Sequence, residues 1–158
     1  MPGLEELERM TARFAPVDIE VDLSALPDNE RQALARIIEA ARVFDPLFLR
    51  QVWAGNEAML LDLINDRSAL GQARLHYFLI NKGPWSRLDH NRPFVPGAPE
   101  KPPQATFYPA GADKADVERW LDALGPEERA QASGFFTTIR RGPDGGFTAV
   151  PYSLEYQP

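Results

Sequence analysis

The chain contains two histidines, His76 and His90, and no cysteine. A hydrolytic zinc centre takes three protein ligands and keeps a further position open for water. The compact way to supply two of them is a histidine pair one helical turn apart, with a glutamate beside them as base. His76 and His90 lie too far apart in sequence for that spacing. His76 falls within the apolar helix end Leu75-His76-Tyr77-Phe78-Leu79-Ile80 and reads as a hydrogen-bonded core histidine. His90, in Leu88-Asp89-His90-Asn91, reads as a loop residue that caps or hydrogen-bonds backbone. The sequence therefore assigns no metal ligand and no cofactor to this chain. Without cysteine there is also no thiolate ligand, disulfide, iron–sulfur cluster or cysteine nucleophile.

Ser86, Asp89 and His90 are the residue types of a nucleophilic triad and are close in sequence. No Gly-x-Ser-x-Gly elbow surrounds the serine, and nearness along the chain is not triad geometry. Phosphate loops, dinucleotide glycine patterns, calcium loops and the glutamate-rich helix of Nudix chemistry are all missing. The carboxylate pairs Glu127-Glu128 and Asp62-Asp66 sit on amphipathic, mixed-charge helices and read as solvated surface. The segment Asn81 to Asp89 is more informative, because it joins a helix end, a tight turn, a tryptophan and several polar groups. Its structural reading has Trp85 plugging the core while Arg87 and Asp89 satisfy the loop backbone and each other.

Helical elements must hold this segment. Leu4, Leu7, Met10, Thr11 and Phe14 have helical spacing, and Pro16 ends that run. Val17, Ile19, Val21 and Leu23 alternate with Asp18, Glu20 and Asp22, which predicts a strand with one apolar side. Leu34, Ile37, Ile38 and Ala41 give a helix starting near Pro27-Asp28, interrupted by Pro46. Further helices are expected over 47–53, 56–64 and 70–80, the last apolar almost all round. From Gly83 to Gly111 the prolines exclude regular helix. About 30 irregular residues are long for a compact domain, so Trp85, Phe94, Phe107 and Tyr108 must tie them down as an ordered loop. Asp113 with Asp116 forms a capping box ahead of Val117, Trp120, Leu121 and Leu124. Pro126 starts another short helix, and Gly134 is placed to end it. Phe135 to Arg141 and Phe147 to Tyr152 read as strands joined through Asp144-Gly145. The expected fold is α+β and mostly helical, with a C-terminal β-hairpin and a long proline-rich structured loop over 83–111.

Residues 1–158 are of a length for a single domain, or for the N-terminal portion of a larger hydrolase. The formal net charge of −6, with lysine and arginine scattered, excludes a phosphate-binding basic face, so neither nucleic acid nor an anionic membrane is an expected partner. Arg140-Arg141 reads as a solvated hairpin end. The acidic N-terminal stretch is not a secretory signal, and no apolar run is long enough to span a bilayer. Cytoplasmic location is the expectation.

Several long words of the sequence then point one way. Phe48 to Asn56, Leu75 to Asp89, Phe107 to Ala110, Gly134 to Arg141 and Val150 to Tyr156 resemble, in the same order, the N-terminal region of dipeptidyl peptidase III-like zinc metallopeptidases. A related region occurs in plant proteins that join a Nudix domain to a dipeptidyl peptidase III-like part. The resemblance runs from about Phe14 to Tyr156. It departs at Gln104-Ala105-Thr106, where a Gly-Ala-Asn type is expected, and at Asp113, where threonine is common.

The resemblance implies a zinc-binding helix with two histidines and a glutamate, and a further acidic ligand, all downstream of the region present here. It implies zinc for the full-length protein and no catalytic residue in this chain. Asn81, Trp85 and Tyr108 are candidates for lining the substrate cleft. The implied function is a non-catalytic portion of a zinc-dependent hydrolase, truncated here, whose partners are the missing catalytic portion and a peptide substrate. The alternative is a stand-alone interaction or peptide-binding module with a partner chain; an independent enzyme built on Ser86, His90 and Asp89 is a third reading.

Overall fold

A computed structural model describes residues 1–103, 108–109 and 111–157. They divide into two compact units, Met1–Lys101 and the residues from Pro102 onward.

The first unit is built on α1 (Leu4–Thr11), α2 (Asp28–Arg42), α3 (Phe44–Val52), α4 (Asn56–Asn65) and α5 (Ala69–Asn81), followed by the short strands β1 (Trp85–Ser86) and β2 (Arg92–Pro93). Helix α5 is the centre of the packing, in contact with α1, α4 and β1. Its start is fixed by Ser68, whose hydroxyl accepts the Gly71 N–H at 3.0 Å and so satisfies one orphan donor of the first turn. Its end is a left-handed residue, Lys82, with φ 55°. That conformation is costly for a residue with a Cβ, but it turns the chain sharply back toward the core.

Tyr77 and Phe78 of α5 are fully buried with Leu7, Leu49, Leu63, Phe94 and Val95. Each such side chain contributes roughly 1.5–3 kcal/mol by leaving water. Phe94 and Val95 come from the proline-rich stretch, so its described part is an ordered loop held by its aromatic residues. Phe107, also expected to tie this loop, lies outside the described residues.

The second unit carries α6 (Lys114–Ala123), α7 (Pro126–Ala132), β3 (Thr137–Arg141), β4 (Phe147–Pro151) and α8 (Tyr152–Glu155). The capping box forms as read: Asp113 Oδ1 accepts the Asp116 N–H at 2.8 Å, and Asp116 Oδ2 accepts the Asp113 N–H at 3.1 Å. Strands β3 and β4 pair antiparallel, with Ile139 opposite Ala149 and Arg141 opposite Phe147. Gly145, at φ 81°, supplies the positive φ that closes the turn. Fold class is thus α+β, mostly helical, with a C-terminal hairpin.

Three local expectations fail. Residues 15–23 form no strand, and Val17, Ile19 and Val21 are exposed. Their alternation suits a sheet, but no described strand pairs with them. The end of α5 is not buried all round: His76 and Leu79 face solvent, because only the Tyr77–Phe78 side of the helix meets the core. Arg140-Arg141 is not simply solvated. Arg140 donates to Glu155 of α8 through Nε at 3.0 Å, and Arg141 lies over the Phe147 ring, 5.2 Å from its centroid.

Phe94→Ala is expected to cost about 3–5 kcal/mol of stability in urea unfolding. Phe135→Ala, at a position 95% exposed, should change it by no more than about 0.5 kcal/mol.

Candidate functional site

The segment singled out in the sequence leaves α5 at Asn81 and returns to the core at Phe94. Asn81 is 3% exposed and spends its amide internally. Nδ2 donates to the Tyr77 carbonyl at 2.9 Å, and Oδ1 accepts the Arg87 N–H at 3.0 Å. Trp85 is equally buried, edge-on to Trp53 with centroids 5.2 Å apart, and its Nε1 donates to the Pro99 carbonyl at 2.8 Å. Asn81 and Trp85 therefore brace one loop from within the first unit. Tyr108 belongs to the second unit, where it is half-buried.

Between β1 and β2 the backbone turns through His90 and Asn91, both left-handed at φ 55° and 58°. The Asn91 N–H closes the turn on the Ser86 carbonyl at 2.9 Å. Asparagine tolerates that region through its short polar side chain, whereas histidine carries the usual Cβ penalty there. His90 is exposed at the tip of the turn.

A polar relay crosses this loop. The Tyr77 hydroxyl and Ser86 Oγ are 2.7 Å apart. Ser86 Oγ donates to Asp89 Oδ2 at 2.5 Å, leaving its lone pair for the Tyr77 hydroxyl. Arg13, just beyond α1, donates to both Asp89 oxygens at 2.8 and 2.9 Å and to the Leu88 carbonyl at 3.2 Å. One nitrogen, Nη1, serves both carboxylate oxygens, and Nη2 serves the Leu88 carbonyl, so the guanidinium ties the carboxylate and the loop backbone together. The Ser86 hydroxyl first, and Arg13 second, hold the Asp89 carboxyl below its ordinary range. Asp89 thus pairs with Arg13 and Ser86, correcting the expected Arg87–Asp89 pair. Arg13 was missed in the sequence reading because a contact spanning 76 positions leaves no periodic trace.

A pocket of about 280 Å³ opens beside the relay. Arg9, Arg13 and Arg92 stand on its rim against Glu6 and Asp89, with the buried Ser86 and Phe94 behind them. Guanidinium groups stay charged at neutral pH, and the Ser86 hydroxyl is committed to Asp89. The arrangement presents guanidinium groups that can hold an anionic group. Ser86 is 1% exposed and makes no bond to His90, so a Ser86–Asp89–His90 triad does not form. His76 lies exposed on α5 rather than in the core. Among the described residues, no three His, Cys, Asp or Glu side chains stand close enough to hold a metal ion. The zinc implied by the resemblance therefore finds no fitting donor set here.

Comparison with solved structures shows what this region is similar to. The dipeptidyl-peptidase III of Corallococcus sp. strain EGB superposes with a TM-score of 0.92 at 60% identity, over 99% of this chain and 29% of that one. That of Caldithrix abyssi superposes at 0.85 with 40% identity, over 94% of this chain and 28% of that one. The chain is a dipeptidyl-peptidase III-like region. Nudix hydrolase 3 of Arabidopsis thaliana is 35% identical over 85% of the chain and 21% of its own length. This dipeptidyl-peptidase III-like region thus spans about a fifth of the curated relative and under a third of the solved ones. No protein-family model matches it. No helix among the described residues is long and apolar enough to cross a membrane.

Three variants test the relay. Ser86→Ala strands the buried Tyr77 hydroxyl and should cost about 1–3 kcal/mol in chemical unfolding, with Tyr77→Phe/Ser86→Ala recovering part of it. Folding depresses the Asp89 pKa, so its stabilisation is complete above the unfolded carboxyl range and is lost as pH falls through the lowered folded value. Unfolding curves below about pH 4 should accordingly be less pH-dependent for Asp89→Asn than for the parent.

Proposed function

We propose that the chain serves as a non-catalytic portion of a zinc-dependent dipeptidyl peptidase III-like hydrolase, forming part of the substrate cleft and a surface on which the rest of such a polypeptide packs. The observation that carries this reading is α2. It has fifteen residues and none is buried. Its apolar stripe continues past the helix, leaving Ile37, Ile38, Val43, Phe44 and Phe48 exposed, with Phe44 at 69%. A patch of this kind is costly in water and normally marks an interface. The solved relatives are more than three times as long as the matched region, so each has further polypeptide beyond it.

In this reading the chain brings no zinc ligand and no catalytic base. Asn81 and Trp85 serve the cleft from beneath, by fixing the loop that carries Arg87 and Leu88, and Tyr108 offers a partly exposed ring. The Arg13–Asp89 clamp keeps that loop in register with α1. Zinc, a peptide substrate and the catalytic chemistry belong to the remainder of the hydrolase. The working location is the cytoplasm, as the cysteine-free composition suggests.

The test replaces the matching region of the Corallococcus enzyme with this chain. The chimaera should bind zinc and release dipeptides from a peptide substrate, while the 158-residue chain alone does neither. Zinc-dependent dipeptide release by the chain alone would overturn the proposal. Phe44→Asp should lower the chimaera's melting temperature by several degrees and leave that of the isolated chain unchanged, since a new carboxylate is penalised only where the patch is covered.

A further inference from the structure

Residues 16–23 have the chemistry of a strand and the structure of none. Val17, Ile19 and Val21 are 77%, 95% and 75% exposed, an unusual state for three branched aliphatic residues in a row of alternating positions. Period-2 alternation is uninformative in a coil but places every apolar side chain on one face of a strand. The ends of the segment are also those of a strand. Pro16, which lacks an N–H, suits a strand's first residue. At the other end the Asp22 carboxylate accepts the Ser24 N–H at 2.8 Å, a tight turn that stops extension, and the Leu26 N–H follows with a bond to the Leu23 carbonyl. Between these ends no backbone hydrogen bond joins residues 15–22 to another described residue.

We infer that residues 16–23 are a sheet strand whose ladder partner is a strand in the remainder of the hydrolase polypeptide, alternating β-branched residues with lysine or arginine. The charge of the segment sets the partner's chemistry. Asp18, Glu20 and Asp22 share the face opposite the valines and isoleucine, and three carboxylates at that spacing repel one another unless cations stand across from them. The apolar face demands Val, Ile or Thr at the alternate partner positions. The inference rests on the proposed function for the existence of the remainder, and adds the segment that docks and the residues that receive it.

Amide hydrogen exchange on the chimaera and on the isolated chain tests it. In the chimaera, amides on alternate residues of 17–23 should exchange at least about tenfold more slowly than in the isolated chain. Ile19→Pro should erase that protection and lower the chimaera's melting temperature without moving that of the isolated chain, and Glu20→Lys should lower it by a smaller amount. Equal, fast exchange in both proteins would overturn the inference. Protection in the isolated chain that grows with concentration would overturn it too, assigning the strand to a second copy instead. An active chimaera with fast exchange leaves the proposed function standing and removes the strand. Should the chimaera be inactive or unfolded, exchange at the matching segment of the unaltered Corallococcus enzyme decides the strand separately.

Discussion

The first unit depends on the burial of Tyr77. Its ring is fully buried, edge-on to Phe94 with centroids 4.7 Å apart and to Phe14 at 6.1 Å, so one side chain of α5 ties the turn that follows α1 to the proline-rich loop. A buried phenol must satisfy its hydroxyl, and that requirement places Ser86. Ser86 in turn orients Asp89, and Asp89 collects Arg13. An apolar demand at the ring and a polar demand at its tip thus propagate outward until the charge reaches solvent.

That hierarchy explains why the loop around Asn81 and Trp85 is ordered despite its composition. Prolines 84, 93, 96 and 99 remove backbone donors, so little regular ladder can form. The remaining donors go to specific acceptors: Trp85 Nε1 to the Pro99 carbonyl, Arg87 N–H to Asn81, Phe94 N–H to the Pro84 carbonyl at 2.9 Å. The loop is shaped by side chains and by carbonyls that proline leaves free. A loop braced in this way holds its geometry without a regular ladder.

The surface tells a complementary story. α2 contributes an amphipathic helix with none of its residues buried, and the segment before it contributes alternating apolar residues with no described strand beside them. Both features sit between α1 and α3, consecutive in sequence. The first unit's own core omits them: the fully packed residues come from α1, α3, α4, α5 and the loop carrying Phe94. Other exposed apolar side chains, Leu61, Leu79 and Leu88 among them, stand singly on elements whose opposite sides are packed.

Much of this was legible in the sequence because it is local. Helix starts at Asp28 and Lys114, the capping box at Asp113 and the turn at Asp144-Gly145 follow from backbone dihedrals and nearby hydrogen bonds, which neighbours in sequence decide; the break expected at Pro46 falls instead at Val43, with Pro46 in the first turn of α3, where its missing N–H costs nothing. The likeness to dipeptidyl-peptidase III was legible too, since it is carried by runs of consecutive residues such as Leu75 to Asp89. The tertiary structure alone decided which side of α5 is buried, sending His76 to solvent and Tyr77 to the core. It also decided that Asp89 pairs with Arg13 rather than Arg87, and that residues 16–23 pair with no described strand. Those outcomes depend on which distant surfaces meet, and on which surfaces this region does not itself contain; periodicity records that a face is apolar, but not what covers it.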